Sequence, residues 1–147
     1  MRLCHLRTWN DGRGYGFNIQ AHRLRSGHFI SGVDSDSPAK SAGLLDGDRI
    51  VEVNGVNVEQ AAHGEVVTKI TAISDEVKLL VVGCDADKFF SDNKITVTGS
   101  MDCVDTITCP EANPATLTGQ SPLYLYIYIH QPEVVAKPAK KTLLRVQ

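Results

Sequence analysis

Arg13-Gly14-Tyr15-Gly16-Phe17-Asn18-Ile19 is the stretch on which the reading of this chain turns. Glycine at alternate positions, followed at once by Phe-Asn-Ile, makes a tight turn that feeds directly into a strand. A turn of this kind can leave consecutive backbone N–H groups converging on one spot, and such a nest binds an anion. Two nucleotide-binding loops also use glycine, and both fail here. A dinucleotide fingerprint needs G-x-G-x-x-G opening a helix, whereas Gly12-x-Gly14-x-Gly16 opens a strand. A Walker loop needs Gly-Lys-Ser/Thr, which is absent. An anion nest and a plain turn remain.

Outward from the loop, short apolar runs alternate with turn residues. Leu3 to Leu6, Tyr15 to Ile19, Phe29 to Val33, Arg49 to Val53 and Val77 to Val82 read as strands, and Asn54-Gly55 reads as a hairpin turn. Two segments read as helix. Ser37-Pro38-Ala39-Lys40-Ser41-Ala42-Gly43 has Pro at the first helical position and Gly at the exit. Glu59 to Ile73 is longer, with Ala62, Val66, Val67, Ile70 and Ile73 at three- and four-residue spacing. The expected fold is mostly β with two helices, one short and one long, in a partly open barrel or sandwich of five to six strands.

Ten of the twelve glycines lie in residues 1–83. Beyond Gly83 five prolines punctuate polar sequence, and neither a helix pattern nor a glycine turn system is visible. The expectation is a folded domain over 1–83 followed by a largely irregular tail, disordered or weakly ordered, over 84–147. Leu123 to Ile129, which alternates aromatic and aliphatic residues, is the exception. As a strand it would be apolar on both faces and suited to pairing with a sheet edge.

Composition narrows the function classes. The 147 residues are 42% hydrophobic and 22% charged, with a formal net charge of -2, so no global polycation drives nucleic-acid binding. Four scattered cysteines do not make a disulfide scaffold. The start, Met-Arg-Leu-Cys-His-Leu-Arg, does not resemble a signal peptide. Leu123 to Ile129 is also far shorter than the ~20 residues that span a bilayer. A cytoplasmic protein with reduced thiols is expected.

Gly14-Tyr15-Gly16-Phe17 resembles the carboxylate-binding loop of the PDZ domain family. The resemblance continues through Ser37-Pro38-Ala39, Ala42-Gly43-Leu44 and Gly47-Asp48-Arg49-Ile50-Val51-Glu52-Val53-Asn54-Gly55, and reaches His63 and Val67. It covers about residues 2–83. Tyr-Gly-Phe-Asn, Ala-Gly-Leu-Leu-x-Gly-Asp-Arg and His-x-x-Val-Val together are most similar to the sodium–hydrogen exchanger regulatory factor (NHERF) scaffolds.

The resemblance implies an adaptor that binds the C-terminus of a partner as an added strand. The strand Phe17-Asn18-Ile19-Gln20 would receive it, opposite the long helix. Gly14 and the amides of Tyr15, Gly16 and Phe17 would hold the terminal carboxylate, with Arg13 adding charge nearby. Glycine at Gly16 would permit close approach of backbone to ligand. Tyr15, Phe17, Ile19, Val67 and Ile70 would take the last, apolar side chain. His63 would accept a hydrogen bond from Ser or Thr two residues earlier, giving a Ser/Thr-x-hydrophobic code. Asp34 would favour a basic penultimate residue. Ser31 stands where relatives often carry a base, and His22, Arg23 and Arg25 would partly replace it.

The implied partners are the tails of membrane transporters, channels or receptors at the inner face of the plasma membrane. Cortical cytoskeleton linkage would come through other domains, and no cofactor or metal is expected. Other readings stay open. An enzyme has candidate nucleophiles in Cys4, Ser31 and Cys84 but no elbow and no paired base. Arg2, Arg7, Arg13, Arg23 and Arg25 face only Asp11 in the first 25 residues, a bias that would suit anionic lipid or nucleic acid. A short isoform of a multi-domain scaffold is the third. The stretch Lys137 to Gln147 is basic and apolar but too short for a cytoskeleton-docking helix, and its Val-Gln ending lacks an apolar last residue.

Overall fold

The run Val77 to Val82 becomes the middle of the sheet. In the computed structural model, which describes residues 1–114, it is β6 (Glu76–Val82). It pairs antiparallel with β4 (Arg49–Val53) on one side and β1 (Arg2–Arg7) on the other. The sheet continues through β3 (His28–Ser31) to β2 (Asn18–Ala21) at one edge and to β7 (Asp105–Thr108) at the other. β5 (Val56–Asn57) folds back on β4 through Asn54-Gly55, both at positive φ, the geometry of a two-residue hairpin turn.

β6 buries both of its faces, and this explains most of the architecture. Val77, Leu79 and Val81 join the main core with Cys4, Leu6, Ile30, Leu44, Ile50 and Val66. Leu80 and Val82 point the other way and pack with Val51 and Val97. Strict alternation would put Ile50 and Val53 on opposite faces; a register shift between Ile50 and Glu52 lets both enter the main core.

The short helix α1 (Pro38–Ser41) forms as its residues dictate. The Ser37 hydroxyl accepts from the Lys40 N–H at 3.1 Å, and Pro38 starts the first turn. α2 (His63–Ile70) is shorter than the expected Glu59 to Ile73. At its start the Asn57 side chain accepts from the Glu59 N–H, Glu59 and Gln60 form a turn, and Ala62 is still extended. At its end the Thr71 hydroxyl turns back onto the Val67 carbonyl, and a run of bends follows.

Regular structure does not end at Gly83, where the sequence shows no helix pattern. α3 (Cys84–Asp92) begins at once, and β7 lies parallel to β1, with Arg2 opposite Asp105 and His5 opposite Thr108. Among the described residues there are therefore seven strands and three helices where five to six and two were expected. The physical reason is the second apolar face of β4 and β6. Val97, Phe90, Ala86 and Val104, together with Met1 and Leu3, cover it. The segments Leu123 to Ile129 and Lys137 to Gln147 lie outside the described residues.

Candidate functional site

Among the described residues β2 pairs only with β3, so none of them covers its other edge. α2 lies across from that edge, and the space between them is a cavity of about 450 Å³. Asn18 and Ile19 of β2 line it, with Arg13, Tyr15, Gly16 and Phe17 of the glycine loop closing one end. His63, Val67 and Ile70 form the helical wall, and Asp34 and Gly32 complete it.

The glycine loop is fastened from behind. The Ala39 N–H donates to the Tyr15 carbonyl and the Asp34 N–H to the Gly16 carbonyl, each at 2.9 Å. In a trans peptide the next N–H points opposite to the carbonyl, so the amides of Gly16 and Phe17 face away from this attachment. Gly16 has φ +78, and a Cβ there would come closer than 3.0 Å to the Ser37 Cβ. Glycine is thus required by packing against the cap of α1, not only by approach of a ligand. The Ser37 hydroxyl also donates to the Asp34 carbonyl at 2.8 Å, which ties loop, cap and cavity rim into one unit.

α2 splits its apolar residues between two tasks. Val66 and Ile70 are buried, whereas Val67 is 40% exposed on the cavity side. His63 opens the helix, and its ring lies 5.5 Å from that of His28. His28 is a residue that pattern reading passed over. It is buried at the head of β3, its Nδ1 has no hydrogen-bond partner among the described residues, and burial followed by the neighbouring His63 lowers its pKa. Only a lone histidine after Gly27 marked it in the sequence. Tyr15 packs on the core and against Phe17, ring to ring at 6.3 Å, and burial pushes its hydroxyl up to about 12.

Ten expected residues meet at the cavity: Arg13, Tyr15, Gly16, Phe17, Asn18, Ile19, Asp34, His63, Val67 and Ile70. Gly14, Gln20, Ser31 and His22 do not line it. Ser31 pairs with Asn18 across the strands, and His22 lies edge-on to Phe29 at 5.2 Å. Gly32 was not foreseen; a Cβ there would press on the Asn18 amide. Arg13 lines the cavity with its charge already engaged, by Asp11 at 2.9 Å and Asp36 at 3.5 Å.

The arginine-rich start is likewise neutralised. Arg2 pairs with Asp48, Arg7 with Glu111 and Glu76, and Arg25 with Asp87. Of the five arginines only Arg23 has no ion pair among the described residues, so the local bias is not a basic surface. The Cys4 thiol is buried and pushed up to about 12 by that burial, an environment that keeps it protonated. Among the described residues no group of three or more His, Cys, Asp or Glu is placed to hold a metal ion. No helix among them is long and apolar enough to cross a membrane.

The family model of the PDZ domain matches residues 7–82. The chain belongs to the PDZ domain family. This chain is 52% identical over 89 residues to the Na(+)/H(+) exchange regulatory cofactor NHE-RF1 of Gallus gallus, covering 60% of this chain and 26% of that protein. It is 46% identical over 97 residues to NHE-RF2 of Oryctolagus cuniculus, covering 66% and 30%. With NHE-RF2 of Mus musculus the identity is 42% over 124 residues, covering 84% and 34%. The chain thus spans about a quarter to a third of the length of these curated relatives. Among solved structures, the PDZ domain of human microtubule associated serine-threonine kinase 4 is similar at 28% identity and a TM-score of 0.49, covering 56% of this chain and 92% of that one.

Proposed function

We propose that this PDZ domain is an adaptor module that binds the free C-terminus of a partner protein ending Ser/Thr-x-hydrophobic. The observation that carries the reading is the joint lining of one cavity by the glycine loop, the open edge of β2, and His63, Val67 and Ile70. A ligand strand adds to β2 by main-chain hydrogen bonds, with its carboxylate at the loop amides. Its last side chain sits between Phe17, Ile19, Val67 and Ile70, and burying it is worth ~1.5–3 kcal/mol. His63 accepts from the Ser or Thr hydroxyl in its neutral form. Asp34, on the rim, attracts a basic penultimate residue. Arg13 assists the carboxylate only by giving up part of its pairing with Asp11 and Asp36.

The relatives are named as regulatory cofactors of Na(+)/H(+) exchange, which favours transporter, channel or receptor tails as partners at the inner face of the plasma membrane. One groove of this kind gives an affinity of about micromolar, near -8 kcal/mol. The test is titration of the full chain with fluorescent peptides ending Thr-Arg-Leu. The expected result is saturable binding that is lost when the terminal carboxylate is amidated and weakened when Thr is replaced by Ala. Equal binding of the amidated peptide would overturn the reading. His63→Ala should remove the preference for Thr over Ala, a change of up to about tenfold for one neutral hydrogen bond.

A further inference from the structure

We infer that Asp87 of α3 is a positioning residue for ligand recognition: it holds the loop 22–27 between β2 and β3, and so sets affinity for ligand residues upstream of the last four. The inference rests on the groove reading above. α3 begins beyond residue 82, where the match to the family model ends. Asp87 is only 8% exposed, and its two carboxylate oxygens are divided between two arginines. Arg49 donates to one at 2.9 Å, and Arg25 donates to the other at 2.7 Å.

Arg49 belongs to the sheet and is held a second time by Glu59 at 2.9 Å. Arg25 belongs to the loop. Its guanidinium also lies over the ring of Phe29 at 4.5 Å, and His22 meets the same ring edge-on. A Cβ on Gly27, at φ +103, would come within 2.9 Å of the Arg49 Nε, so the far end of the loop is seated on Arg49 as well. Arg25 and Gly27, in the second half of the loop, thus rest on the Arg49–Asp87 pair, and His22 at its start rests on the Phe29 ring that Arg25 covers. With Arg25 spent on this clamp, Arg23 is the loop's arginine without an ion pair among the described residues, and Leu24 beside it is 97% exposed.

Direction follows from the sheet. A strand added to β2 with its carboxylate at Phe17 runs its upstream residues past Asn18, Ile19, Gln20 and Ala21. The four residues of β2 accommodate about four ligand residues, and those further upstream meet His22 and Arg23. A loop held in one conformation presents these side chains without an ordering cost at binding; a released loop does not.

The experiment compares two peptides on the full chain, Ala-Thr-Arg-Leu and the same four residues preceded by four acidic residues. Arg25→Gln breaks the clamp without freeing a charge, and Asp87→Asn breaks it while leaving Arg25 charged. Both variants should bind the eight-residue peptide about three- to tenfold more weakly, a coupling typical of neighbouring groups, and bind the four-residue peptide as wild type does. The double variant should be no weaker than either single one. Tighter binding of the long peptide by Asp87→Asn would make Arg25 a direct charge reader and overturn the clamp. Unchanged long-peptide binding, or equal loss of both peptides, would also overturn it. Failure of the wild type to bind either peptide would overturn the groove reading itself, and with it this inference.

Discussion

Gly16 carries two constraints at one position. Its φ of +78 strains any L-residue, and the space beside it is filled by Ser37. Alanine there should cost about 2–4 kcal/mol, combining left-handed strain with overpacking. Denaturant unfolding of Gly16→Ala should show this loss, and peptide titration should show weaker binding because the loop must shift. His28 offers a pH prediction. Its pKa is lowered below the ordinary 6.5, so below pH 6.5 the unfolded chain takes up a proton more readily than the folded one. The stability it contributes is present above that value and is lost as the pH falls. His28→Gln should therefore flatten the dependence of Tm on pH between about pH 7 and about pH 5. Glu76, lowered from 4.5 by its hydrogen bond to His5, acts in the same direction but at more acid pH, so the two windows are separable.

Among the elements, the cover over the second face of β6 governs stability. Val51, Leu80 and Val82 are buried only because α3 and the segment around Val97 lie on them. Leu80→Ala should cost about 2–5 kcal/mol. Truncation after Gly83 should lower the unfolding free energy by at least about 3 kcal/mol relative to a chain ending at 114, as judged by urea melts. The same elements show what could be read without coordinates. β4 was legible residue for residue, because Asn54-Gly55 fixes the end of an alternating run. α1 was legible from Ser37 and Pro38. The groove residues were legible because His63 and Val67 lie four apart on one helix face and the loop glycines precede β2. The bounds of α2 were not, since Asn57 and Thr71 redirect the backbone through side-chain hydrogen bonds that periodicity cannot register. α3 and β7 were missed although Leu79 to Val82 held the signal: four consecutive apolar residues need cover on both faces. His28 and Asp87 were invisible because their roles depend on partners 35 and 38 residues or more away in sequence.

For the whole molecule, the local arginine bias is cancelled by pairing across long sequence distances. Arg2 reaches Asp48, Arg7 reaches Glu111 and Arg25 reaches Asp87. The chain should therefore be released from heparin at or below about 0.15 M salt, where screening already extends over only ~8 Å. Retention well above that would restore the anionic-surface reading. A last consequence comes from Asn113, whose side-chain amide donates to Asp36, the same carboxylate that meets Arg13 at the end of the cavity. The side chain of Asn113 is thereby tied to Asp36 beside the glycine loop. Asn113 therefore stands next to the rim of the cavity, linked to Arg13 through one shared carboxylate. A substitution at Asn113, 77 residues away in sequence from Asp36, should therefore be felt at Arg13 through the carboxylate they share.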